Sequence, residues 1–340
     1  MPVNKIIGYL LIGLSYFGGW LWMDYESAIR NPIVFEKIVT IDIEKGDSLK
    51  QITNKLVAQN VKIKPFWFKF LAKINGENKK IKSGEYELTK GLTAKDILAL
   101  FVQGKVKQHA ITFPEGWNFK QLRHELDANP YIEHTLQSVP FEMIPAKLGI
   151  SQNHPEGLFF PDTYFFVKHT TDIVILKHAY TKMQIILEQE WQGRAENLPI
   201  TTPYQAVCLA SIIEKETAAP LERAQIAGVF SRRLQQNMML QTDPTVIYGM
   251  GETYQGNIKT ADLKKPTPYN TYTFKGLPPT PIAMAGRESI HAALHPDASE
   301  ALYFVAKGDG THVFSENLDA HNAAVEIYQR HKNEAISHDR

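Results

Sequence analysis

From Ile6 to Met23 the chain reads IIGYLLIGLSYFGGWLWM, a run without a single charged side chain. As an α-helix this stretch is roughly 27 Å long, close to the ~30 Å hydrocarbon core of a bilayer. A lone segment in hydrocarbon must satisfy its own backbone polar groups, and only a helix does so. The chain is therefore expected to begin with a single spanning helix. Trp20, Trp22 and Tyr25 stand at its far end, where amphipathic rings suit the headgroup level. Lys5 and the α-amino group precede the run and Asp24 and Glu26 follow it, so the positive-inside bias predicts a cytoplasmic N-terminus. The expected location is the inner (cytoplasmic) membrane, single-pass, with the body of the protein periplasmic or otherwise extracytoplasmic. A cleaved signal peptide is the rival, but Ser27-Ala28 is a poor small-x-small cleavage site.

Beyond the anchor, 340 residues leave room for about two domains. Apolar residues at 44% and charged residues at 21% exclude a disordered or low-complexity chain. Lys+Arg 37 against Asp+Glu 36 leaves a net charge of +1, which gives a nucleic acid nothing to follow. One cysteine, Cys208, excludes an intramolecular disulfide and any Cys-rich metal site.

A weak internal repeat organises the first half. IDIEKGDSLKQITNKL and ITFPEGWNFKQLRHEL align at Gly46/Gly116, Lys50/Lys120, Gln51/Gln121, Ile52/Leu122 and Leu56/Leu126. YELTKGLTAKDILALF repeats the shape around Gly91, with Ile97 and Phe101 in the places of Ile52 and Leu56. Each unit alternates apolar residues before its glycine and takes helical spacing after it, so the predicted unit is strand, glycine turn, helix. Small βα modules of this kind resemble LysM-type glycan-binding domains, and could equally serve as a structural spacer.

From about His154 the texture changes to Pro- and aromatic-rich loops between a few strong helices. Thr202-Pro203-Tyr204-Gln205 is a capping box with proline at the first helical position, so a helix opens there and runs through AVCLASIIEKE. Further helices are predicted over 172–191, 221–236, 286–294 and 317–331, and ALYFVA at 301–306 reads as a buried strand. The class is α+β, divided into a cytoplasmic tip and transmembrane helix (1–25), a small LysM-like βα subdomain (36–107) and a larger mixed catalytic domain (108–335).

The helix of Ala206 to Ile213 is apolar except for Ser211, and ends in Glu214-Lys215-Glu216. A carboxyl held against apolar surface loses hydration, which favours its protonated form, the state a general acid needs. Glu216 lies about 200° round the helix from Glu214, so both cannot enter one cleft. A solvated helix end is the plainer alternative. Around it, EGLFFPDTY, LQTDPT and YNTY supply the amides, hydroxyls and aromatic faces that bond sugar hydroxyls and cover apolar sugar faces; singly, each is also ordinary turn chemistry. His291 and His295 are four apart, but no HExxH frame or third ligand is evident, so neither a metal nor a cofactor is expected. Cys208, among Val207, Leu209 and Ala210, reads as a small buried hydrophobe. No G-x-S-x-G elbow, Walker loop or G-x-G-x-x-G occurs.

ASIIEKET (210–217), EGLFFPDTY (156–164), LQTDPTVIYGMG (240–251) and YNTYTFKGLPP (269–279) together resemble the endolytic murein transglycosylases, the YceG-like family, over essentially the whole chain. The resemblance implies a lyase that cuts the β-1,4 bond between N-acetylmuramic acid and N-acetylglucosamine inside nascent peptidoglycan strands. It would leave 1,6-anhydromuramic ends and terminate strand elongation. The first glutamate of the SIIEKE block is the family's catalytic residue, which selects Glu214. One carboxyl suffices, giving its proton to the glycosidic oxygen and taking one back from the muramic C6 hydroxyl; hydrolases typically need two. By residue type, Gln241, Thr242, Tyr269 and Asn270 are expected to orient the glycan, and Asp243 or Glu156 to face developing positive charge. The expected partners are peptidoglycan strands, the membrane and peptidoglycan synthases. The alternative is a non-catalytic glycan-binding scaffold holding such synthases.

Overall fold

The structure, a computed structural model, describes residues 3–35 and 37–330. The first two residues of the expected cytoplasmic tip, the expected domain limits at Glu36 and at 335, and the expected helix end at His331 lie outside the described residues. The chain forms two compact units, one running to His109 and including Phe165–His169, the other comprising Ala110–Tyr164 and the chain from Thr170 on.

The first unit opens with α1 (Val3–Arg30), a helix long and apolar enough to cross a membrane and exposed along its apolar run. There follow β1 (Val39–Ile43), α2 (Leu49–Ala58), α3 (Pro65–Ile74), β2 (Gly84–Leu88) and α4 (Ala94–Gln103). β1 and β2 pair antiparallel from Val39↔Leu88 to Ile43↔Gly84. Alternation in β1 turns Ile41 and Ile43 inward, and helical spacing turns Ile52 and Leu56 of α2 and Ile97 and Phe101 of α4 onto the same core. The lower end of α1 joins this core through Ile29.

Each predicted repeat is present as strand, glycine turn and helix, the third as β3 (Gln108–Thr112) and α5 (Phe119–Ala128). All three helices open with the same reciprocal cap: Ser48 with Gln51, Thr93 with Asp96, Asn118 with Gln121. α3 belongs to no repeat, and its proline at the first helical position marks its start.

Along the chain, α5 is followed by β4 (Ile132–Glu133), α6 (Ile144–Leu148), β5 (Thr163–Val167), which passes from the second unit into the first at Phe165, and then, in the second unit, β6 (Thr170–Thr171), α7 (Asp172–Gln192) and α8 (Pro203–Glu216). Then come α9 (Arg223–Gln235), α10 (Asp243–Met250), α11 (Thr260–Lys264), α12 (Arg287–Leu294), the antiparallel hairpin β7 (Tyr303–Ala306) and β8 (His312–Ser315), and α13 (Leu318–Val325). The predicted strand at 301–306 is therefore shorter, and the predicted helix beyond 317 ends its α-helical run at Val325, with a π turn over Glu326–Arg330.

α8 is the axis of this unit. Its predicted cap forms: the Thr202 hydroxyl accepts from Gln205 N–H at 3.2 Å, and the Gln205 side chain accepts from Thr202 N–H at 3.2 Å. Ala206 to Ile213 are each no more than 3% exposed, as a helix apolar on all sides requires. Ile186 and Leu187 of α7, Ile226 and Phe230 of α9, and Ile290 and Leu294 of α12 pack in the same core. With its body sealed, α8 meets solvent only at its two ends, and its three charged residues stand at the C-terminal one.

Candidate active site

Two backbone segments converge on that C-terminal turn. Ser211 is fully buried; its hydroxyl donates to Cys208 O at 2.7 Å and accepts from Ile282 N–H at 3.0 Å. One turn on, a Glu214 carboxylate oxygen accepts from Gly286 N–H at 3.0 Å. The buried segment from Ile282 to Gly286 is thus fixed to α8 at both ends. On its other side lies the glycine turn of the third repeat: Gly116 N–H donates to Met284 O at 2.9 Å, and Met284 N–H to Trp117 O at 2.7 Å. Gly116 has a φ of 74°, a left-handed conformation that favours glycine. The Lys215 ammonium donates to Gly116 O at 3.2 Å and holds the turn against α8.

This turn brings in a residue that the sequence reading did not single out. The carboxyl of Glu115 presses on Gly286 so closely that a Cβ there would stand 2.0 Å from a carboxylate oxygen, so any side chain at this position displaces that carboxyl. One glycine therefore separates two carboxyls, its N–H bonded to Glu214 and its Cα against Glu115. Partial burial raises the Glu115 pKa, the charges of Glu214 and Glu288 add to the rise, and Arg223 opposes it. The Pro-Glu-Gly turn in the third repeat was visible in the sequence; that it reaches the end of α8 was not.

Lys215 and Gly116 also line a cleft of about 610 Å³ with Phe119, Lys120, Glu156 and Tyr248. Glu156 is buried in its wall. Its two carboxylate oxygens accept from Phe119 N–H at 3.0 and 3.2 Å, and Tyr248 O–H donates at 2.9 Å. Burial pushes its pKa up to about 7, against those bonds. The Tyr269 ring packs on Tyr248 at 4.7 Å between centroids, and its hydroxyl bonds Thr280 at 2.9 Å.

Glu216 points elsewhere, as the helical spacing predicts. It lines a second cleft, about 530 Å³, with Arg233, Gln241, Asp243 and Tyr272. Thr242 O–H donates to the Glu216 carboxylate at 2.7 Å, and Tyr272 O–H to Asp243 at 2.7 Å. Burial raises the Glu216 pKa, and the Thr242 bond works against it.

The expected site residues thus fall into groups. Gln241 and Asp243 share the second cleft, and buried Thr242 bonds Glu216 there. Glu156 lines the first cleft, with Tyr269 packed behind Tyr248. Asn270 is 1% exposed, and its amide donates to the carbonyls of Asp262, Leu263 and Lys265 at 3.1, 3.1 and 2.8 Å, so its side chain ties a loop together. The Glu115 carboxyl meets Gly286, the residue whose N–H bonds Glu214, while Glu156 and Asp243 line the first and second clefts.

The histidines need a correction. The sequence offers no third group beside His291 and His295, whereas the fold brings Glu190 of α7 within 4.8 Å of both. These groups are already engaged. Glu190 accepts from Arg287 at 2.7 Å and meets His291 at 2.8 Å, while the two ring nitrogens of His295 face His291 O at 3.1 Å and Gly193 O at 2.8 Å. Cys208 is buried as expected, which pushes its thiol up to about 12.

A Bacillus subtilis protein named endolytic murein transglycosylase is 31% identical over 329 residues, covering 91% of both chains. A Streptococcus pneumoniae protein of the same name is 25% identical; the match takes in 94% of this chain, which spans 64% of that longer relative. The crystal structure of a YceG-like protein from Listeria monocytogenes superposes with a TM-score of 0.51 at 28% identity, covering 85% of this chain and 99% of that one. The model of the YceG-like family matches residues 41–327, the greater part of the sequence, and the chain belongs to that family.

Proposed function

We propose that this protein is an endolytic murein transglycosylase, a lyase that cuts inside peptidoglycan glycan strands and leaves 1,6-anhydromuramic ends. The observation that carries the reading is the end of α8, where Glu214 receives the Gly286 N–H at 3.0 Å beside the Glu115 carboxyl, in a chain whose relatives bear that name. Glu214 protonates the glycosidic oxygen as the C1–O bond breaks. The muramic C6 oxygen then closes on C1 and gives its proton to the same carboxylate, so no water is consumed. The Gly286 N–H fixes one oxygen of Glu214, leaving the other for the proton, and the Glu115 carboxylate faces the positive charge that develops at C1.

The finer organisation belongs to the same proposal. Residues 36–107 act as a LysM-like glycan-binding subdomain, a reading supported by the β1-α2-α3-β2 order and its antiparallel strand pair. Residues 108–335 are the catalytic domain, with Gln241, Thr242, Asp243, Tyr269 and Glu156 shaping the clefts that receive the glycan and Asn270 holding the loop beneath them. α1 anchors the chain in the inner membrane with the N-terminus cytoplasmic and the body outside, where cleavage ends strand elongation next to the synthases. A pure scaffold has no use for two carboxyls brought to one glycine.

Product chemistry tests the reaction. Digestion of purified glycan strands in isotopically heavy water is expected to yield unlabelled ends lighter by one water than hydrolysed ends, with mean strand length falling before disaccharide appears. Predominantly reducing, labelled ends would mean that a second carboxylate activates water and that the protein is a hydrolase.

A further inference from the structure

α3 is apolar on both faces. Phe68, Leu71 and Ala72 pack into the core of the first unit, whereas Phe66, Phe70 and Ile74, four residues apart on the opposite face, remain 66%, 41% and 65% exposed. A helix at a water surface carries polar residues on that face. The exposed stripe lies beside the end of α1's apolar run. Asp24 accepts from Trp67 Nε1 at 2.7 Å and pairs with Lys64, and the Tyr25 ring meets Trp67 at 5.3 Å and Phe70 at 5.7 Å. Contacts from Lys64 through Phe70, about 9 Å of α3, fall on two successive residues of α1. α3 therefore crosses α1 at the level where its apolar run ends, instead of running along it.

We propose that α3 is an interfacial helix, seated by Phe66, Phe70 and Ile74 in the same leaflet from which α1 emerges. The inference rests on the reading of α1 as a membrane anchor. A helix that crosses a spanning helix at its exit lies in the plane of the bilayer surface, where aromatic side chains are well placed at the headgroup–acyl boundary. Trp20 and Trp22 of α1, both exposed, stand close by in sequence to the same junction. Lys69 and Lys73 sit on α3 between the apolar positions, with long stems that let their ammonium groups reach lipid phosphates. The lipid this face fits is therefore an anionic one. Two contacts with the membrane would hold the first unit at a fixed tilt, which a single helix followed by a flexible link does not.

The test uses the full chain with Cys208→Ala, reconstituted in bilayers of phosphatidylethanolamine and phosphatidylglycerol. A fluorescent label is carried on one introduced cysteine at a time, as Leu14→Cys, Phe66→Cys, Phe70→Cys, Ile74→Cys or Lys50→Cys, and quenched by lipids brominated near the headgroup or deeper. The expected result is strong quenching of Leu14→Cys by deep bromines, and comparably strong quenching of the three α3 positions by shallow ones. Lys50→Cys, exposed on α2, should keep its emission and yield to aqueous iodide. If Leu14→Cys is quenched while the α3 positions behave like Lys50→Cys, α1 is an anchor and the proposal for α3 is overturned. Loss of quenching at Leu14→Cys itself removes the anchor and this inference with it. α3 labels shielded from iodide yet unquenched by brominated lipid would show a second copy covering the face, and overturn the lipid assignment.

Discussion

Glu156→Gln isolates the effect of a carboxyl buried in the wall of the first cleft. An exposed carboxylate of this type ionises near 4.5, whereas burial in the fold pushes Glu156 up to about 7. The folded state therefore holds its proton over a range in which the unfolded chain has released it, and stability falls as pH rises through that range. The contribution is fully present below 4.5 and lost above about 7. At about 1.4 kcal/mol per pH unit the loss amounts to about 3 kcal/mol. Glutamine has nearly the same shape, accepts the Phe119 N–H and never ionises. The difference in unfolding free energy between variant and wild type should thus be nearly constant below pH 4.5, then shift in favour of the variant by about 3 kcal/mol between pH 4.5 and 7.5. Urea denaturation at a series of pH values, read as this difference, measures it. A difference that does not change with pH, or one that shifts toward the wild type as pH rises, would refute the argument that burial outweighs the bonds from Phe119 and Tyr248.

Glu214→Gln should lower turnover by about 10²-fold or more with an unchanged melting temperature, because the amide keeps the shape but neither donates nor recovers the proton, while Glu216→Gln remains active. An active Glu214→Gln, or one inactive only through unfolding, removes the assignment. Gly286→Ala keeps the N–H to Glu214 and an ordinary backbone at φ −71°, but its methyl group displaces the Glu115 carboxyl. Turnover should drop about 10- to 100-fold with little change in KM or stability, and wild-type turnover would mean that the placement of Glu115 is immaterial. Asn270→Ala strips hydrogen bonds from three loop carbonyls and should destabilise the fold by about 2–3 kcal/mol; a variant that melts normally but binds glycan poorly would instead make Asn270 a ligand contact. Reporter fusions should place the C-terminus outside the cytoplasm, and a C-terminus reachable only from the cytoplasm would reverse the topology.

Local chemistry was legible in the sequence wherever it is sufficient to decide structure. The apolar run of α1, the cap at Thr202 and Gln205 and the three strand-glycine-helix units follow from hydropathy, capping and φ preferences that act over a few residues. Helical periodicity alone separated Glu214 from Glu216, and the structure places them against Gly286 and Thr242 respectively. α3 escaped that reading because its pattern is apolar on both faces, so periodicity points to no single buried side.

Contacts between distant segments were decided only by the tertiary structure. Glu115 and Glu214 are about a hundred residues apart, and no local rule states that the turn of a third repeat will close over the end of α8. That follows from the bonds that join Gly116 and Trp117 to Met284, and Gly286 to Glu214, in which each partner exists only once the helices beneath are packed. The same holds for Glu190 beside His291, and for Asn270, whose residue type suits a sugar amide but whose three carbonyl partners come from the chain just before it. Residue type and spacing determine which groups the chain can offer. Burial determines which of them remain free to meet a substrate, and burial is a property of the packed whole.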